Sequence, residues 1–127
     1  MSINDLDAIG TRKNSFLDNY TLDSSTTSSS VITSITNVPA GTYVVHGHIR
    51  FKTTSGTGTR LVNISATGGA VVSNEETEVG GNPSGYTAIN SVAIIASSST
   101  FTITLLGRQN SGSSILITAG LYAVRIK

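Results

Sequence analysis

Between residues 43 and 52 the chain alternates strictly. Tyr43, Val45, Gly47, Ile49 and Phe51 share one parity, and Val44, His46, His48, Arg50 and Lys52 share the other. Successive side chains of a strand point to opposite faces, so this pattern predicts a β-strand with the Tyr43/Phe51 side buried. Parity and β-branched content predict further strands over 16–22, 31–38, 59–67, 70–73, 86–96, 100–106 and 115–126. Turn chemistry bounds them: Pro39-Ala40-Gly41, Ser55-Gly56-Thr57-Gly58, Gly68-Gly69, Ser97-Ser98-Ser99 and the polar run 107–114. Residues 74–85, with Glu75, Glu76, Glu78 and several glycines, read as the longest internal loop. About eight short strands without strand–helix alternation predict an all-β, antiparallel sandwich or jelly roll over 16–127.

Two segments break the pattern. In 115–126, Ile115, Ile117, Ala119, Leu121 and Ala123 lie on one face, and Leu116, Tyr122, Val124 and Ile126 lie on the other. A solvated antiparallel strand is polar on one side. Apolar residues on both sides therefore predict that a neighbouring copy covers one face, with Leu121 and Ala123 in that interface. At the other end, Ile3, Leu6 and Ile9 recur three apart behind Ser2, a capping residue, and Gly10 follows. Residues 1–15 read as a short helix that anchors on something else, or as a frayed tail.

Composition narrows the function. Charged residues are 12% of the chain, about half the usual share, and the net charge is +1. No basic surplus argues for nucleic acid. No apolar run is long enough to span a bilayer, and the first residues lack a secretory pattern. Cys is absent, which excludes disulfides and thiolate metal sites. Ser and Thr exceed a quarter of the residues. A cysteine-free β-domain of low charge fits a virus particle assembled in a bacterial cytoplasm.

Pro39-Ala40-Gly41-Thr42-Tyr43-Val44-Val45 followed by Ile49-Arg50-Phe51 resembles a strand of the complement-C1q and tumour-necrosis-factor-like superfamily. Gly58-Thr59-Arg60-Leu61-Val62-Asn63-Ile64 resembles the next strand of its bacteriophage members. Thr102-Ile103-Thr104-Leu105-Leu106 and Leu121-Tyr122-Ala123-Val124-Arg125-Ile126-Lys127 resemble the last two. The resemblance implies a ten-stranded jelly roll assembled as a homotrimer. In phages such modules end tail fibres and receptor-binding proteins, where they bind host saccharides, or decorate capsids and tails through other virion proteins. A bacterial-surface adhesin of the same fold is a further option.

Catalysis is poorly supported, so the chain is expected not to be an enzyme. Asp occurs only in the first 23 residues, there are two His, and no Gly-x-Ser-x-Gly elbow is present. Glu75, Glu76 and Glu78 sit in one Gly-rich loop, which suits solvation or weak calcium binding better than a fixed catalytic pair. His46 and His48 point to one face. The resemblance implies that this face looks toward the trimer axis, with His46, His48 and Arg50 at the interface. Three copies would bring six imidazoles together, a donor set for an octahedral transition metal, or for a trimer weakened by protonation. Two ordinary histidines on a polar face are the simpler reading. For a saccharide, an exposed aromatic with polar neighbours is needed: Tyr86 beside Asn82 and Ser84, and Arg108, Gln109 and Asn110 in the late polar loop.

Overall fold

The computed structural model describes residues 12–52, 58–68, 70–74, 77–80 and 86–127. Nine strands form among them: β1 (Arg12–Leu22), β2 (Ser30–Val38), β3 (Gly41–Lys52), β4 (Thr59–Thr67), β5 (Ala70–Asn74), β6 (Thr77–Gly80), β7 (Tyr86–Ser97), β8 (Phe101–Gln109) and β9 (Ile115–Arg125). They build a five-stranded sheet, β1-β9-β3-β7-β5, and a four-stranded sheet, β2-β8-β4-β6. Every ladder is antiparallel. The chain changes sheet at each connection, so no two consecutive strands are hydrogen-bonded partners.

The core lies between the sheets. The five-stranded sheet contributes Tyr43, Val45, Ile49, Phe51, Ile89, Ala93, Ile95, Ile115, Ile117, Ala119, Leu121 and Ala123; the other contributes Ile35, Val38, Val62, Ile64, Phe101, Ile103 and Leu105. Tyr43 packs edge-on against Phe101, ring centres 5.7 Å apart, and its hydroxyl donates to Pro39 O at 2.9 Å. That bond satisfies the polar tip of an otherwise apolar ring. Gly47 occupies an inward position where a Cβ would stand 2.6 Å from Leu105 Cδ1. Leu105 and Ile64 of the opposite sheet fill the space a side chain would need there.

The structure alters several expectations. Leu121 and Ala123, expected at an interface, are wholly buried in the domain's own core. The four-stranded sheet covers their face, and β1 and β3 flank β9 within its own sheet. The predicted loop 74–85 contains β6, which pairs with β4 as an edge strand. Thr77-Glu78-Val79-Gly80 hides its strand character because edge strands tolerate charge and glycine. Strand β8 runs on to Gln109, into the predicted polar loop. Strand β1 starts at Arg12, so residues 12–15 belong to the sandwich. The expected helix over the remaining N-terminal residues, and Glu75 and Glu76 of the calcium option, lie outside the described residues.

Candidate functional site

The outward face of the five-stranded sheet carries the unusual side chains. Register stacks them in rows across β9, β3 and β7. The rows are Val124–Val44–Ile94, Tyr122–His46–Val92, Gly120–His48–Asn90, Thr118–Arg50–Ala88 and Leu116–Lys52–Tyr86. Polarity is therefore graded along the strands, from aliphatic through aromatic to cationic. Strand β1 adds Phe16 opposite Gly120. Phe16, Val92 and Tyr86 are 59%, 55% and 56% exposed, and Ile94 and Leu116 are exposed as well. Large apolar side chains gathered on one exposed face mark an interaction surface, whereas scattered ones do not.

In the middle of the face, both histidine rings lie nearly parallel to Tyr122, centres 6.0 and 5.9 Å away for His46 and His48. Phe16 meets the same Tyr122 ring edge-on at 5.3 Å. A Cβ at Gly120 would run into the His48 imidazole, so glycine makes the stack sterically feasible. His46 Nε2–H donates to Asn90 Oδ1 at 3.1 Å. Burial, and then repulsion from His46, hold the His48 pKa below its ordinary value of 6.5. Asn90 engages His46 through Nε2 alone, and the two histidine rings stand 6.3 Å apart, centre to centre. Among the described residues no three of His, Asp, Glu or Cys converge.

At the cationic end, the Arg50 guanidinium carbon lies 3.9 Å from the Tyr86 ring centre. Lys52 Nζ donates to Asn19 Oδ1 at 2.8 Å. Asn19 sits in the β1 bulge between Leu17 and Tyr20, with φ of 53°. Asn is among the few residues other than Gly that adopt this left-handed conformation readily, and bulges re-aim side chains. Asn19 and the Arg50–Tyr86 pairing were not anticipated from sequence; the bulge that aims Asn19 leaves no pattern in residues 16–22. Tyr86 is exposed, as expected, while its expected neighbours Asn82 and Ser84 lie outside the described residues.

The other predicted ligand-binding residues, Arg108, Gln109 and Asn110, each bond to backbone groups of the chain. Gln109 is fully buried. Its Nε2 donates to Leu22 O at 2.9 Å and Ser113 O at 2.7 Å, and its Oε1 accepts from Ser111 N at 2.9 Å. Asn110 Oδ1 accepts from Thr59 N, which ties β8 to the start of β4. Half-buried Arg108 reaches Thr26 O at 3.4 Å. Gln109 and Asn110 satisfy backbone groups, and burial withdraws Gln109 from the surface. An open cleft of about 590 Å³ lies at the opposite end of β3 from Tyr86, lined by Gly41, Thr42, Ser97, Arg125 and Lys127 among others. Arg125 there donates from Nε to Lys127 O at 3.3 Å.

No family model matches the chain, and no curated protein matches it. Among solved structures it is similar to a chain of the tripod (BppUct-A-L) from the baseplate of bacteriophage Tuc2009. Identity is 11%, the TM-score is 0.48, and the match covers 85% of this chain. The chain spans 64% of that neighbour's length. A likeness this loose carries no functional weight.

Proposed function

We propose that the chain is a bacteriophage receptor-binding module: a jelly roll that assembles as a homotrimer in the virion and binds a host saccharide, without catalysis. The graded outer face of the five-stranded sheet carries this reading. Its aliphatic and aromatic end holds Val44, Val92, Ile94, Val124, Tyr122 and Phe16, the kind of surface that copies of one chain bury against one another. Burying a Val or Ile fully contributes about 1.5–3 kcal/mol, so a few per subunit suffice to hold an assembly. The orders β1-β9-β3-β7 and β2-β8-β4-β6, with the chain crossing between two sheets, fit a double-sheet jelly roll and support the resemblance seen in residues 31–127.

Sedimentation of the protein at micromolar concentration tests the assembly, and host-cell adsorption tests the role. A trimer is expected for the native chain. V92K together with I94K is expected to give a folded monomer, because both residues are exposed in the single subunit. A native chain that sediments as a monomer would remove the trimer, and a chain that fails to adsorb to host cells would remove the receptor-binding role.

A further inference from the structure

We infer that the cationic end of the outer face, formed by Asn19, Arg50, Lys52 and Tyr86, is the ligand site, and that its ligand is a carboxylate-bearing saccharide. This deepens the proposed saccharide-binding role and rests on it, but it does not depend on the oligomeric state.

Three observations converge. First, Tyr86 is an exposed ring at the start of β7 with a guanidinium 3.9 Å from its centre. An exposed aromatic is a platform for the apolar face of a pyranose, and a guanidinium stacked beside it is held in orientation by cation–π attraction. Second, Arg50 and Lys52 follow one another on the same face of β3, and neither carries an ion pair among the described residues. Two cations with no carboxylate partner among the described residues form a local excess that an acidic group complements. The planar fork of Arg50 suits a carboxylate in particular. Third, Asn19 is held at positive φ in a bulge and accepts from Lys52 Nζ at 2.8 Å. The bulge sets that ammonium group at the edge of the patch and leaves the Asn19 amide nitrogen to donate to hydroxyls. Two cations are too few to track a nucleic-acid backbone, and the exposed ring favours a sugar over a bare anion.

The test is isothermal titration of the full chain with oligogalacturonate, oligomannuronate and sialyl-lactose, each beside its carboxylate methyl ester, plus a panel of neutral oligosaccharides. At least one acid is expected to bind, its ester at least tenfold more weakly, with affinity falling as salt rises. R50Q and Y86A are expected to weaken binding tenfold or more and K52Q several-fold, while S98A, at an exposed position at the opposite end of the sheet, changes nothing. Unaltered thermal midpoints show that the variants are folded. If no acid binds but a neutral sugar does, the carboxylate inference fails and the saccharide reading stands. If nothing in either panel binds, both fail. If an acid binds equally well to R50Q and Y86A, the site lies elsewhere and the inference is overturned.

Discussion

At the scale of single residues, polar side chains in this protein divide between struts and surface groups, and the division decides what a substitution does. Gln109 is a strut. Replacing it with Ala strands Leu22 O without its donor, takes one of two donors from Ser113 O and removes an acceptor from Ser111. Leaving buried groups unsatisfied costs about 1–3 kcal/mol each, so Q109A is expected to lower unfolding stability by about 2–4 kcal/mol, as measured by urea titration. His48 is a surface group with a perturbed proton. Its folded pKa lies below 6.5 while the unfolded value is the ordinary one, so the unfolded chain takes up the proton first as pH falls. Its stability contribution is whole above pH 6.5 and is lost as pH falls below that value. The thermal midpoint is expected to drop between pH 7.5 and pH 5, and to drop less in H48Q. An equal drop in both would show that other groups carry the effect. The position of His46 and His48 on the outward face was legible from parity alone. Their stacking on Tyr122 was not, because it needs β9 beside β3, a pairing of residues more than 70 apart in sequence.

At the scale of elements, the alternation that reveals a strand also reveals where it buries its side chains. Residues 43–52 behaved as their parity predicts, with Tyr43 and Phe51 inside. Gly47 belongs to that inward row, and packing explains the glycine: Leu105 and Ile64 of the opposite sheet fill its place. G47V is expected to overpack the core and destabilise the fold by about 1–3 kcal/mol. Adding L105A should restore part of that loss, and a double-mutant cycle reads the coupling directly. Two elements were less legible. Strand β6 is four residues long at a sheet edge, where burial imposes no pattern. Strand β9 is apolar on both faces, and the sequence alone does not say which face the domain covers. Leu121 and Ala123 went to the core, and Leu116, Tyr122 and Val124 went to the outer face.

At the scale of the whole molecule, the defining feature is that the chain crosses between sheets at every connection. No hairpin of adjacent strands exists among the described residues to form early. Loop-closure entropy must be met before long-range pairing is rewarded, so folding should be slow for the chain's length. Stopped-flow refolding is expected in milliseconds to seconds; microsecond folding would contradict the observed topology. The outer face has a further consequence if copies meet through their aliphatic ends. Each copy then brings its own arginine–tyrosine end into one assembly, several anchors on one rigid body. Linked weak anchors hold a crowded surface far more tightly than any one of them does, because rebinding outruns escape. A sparse surface gives them no second foothold. A particle carrying such modules would thus respond to how densely its sugar is displayed as well as to whether the sugar is there.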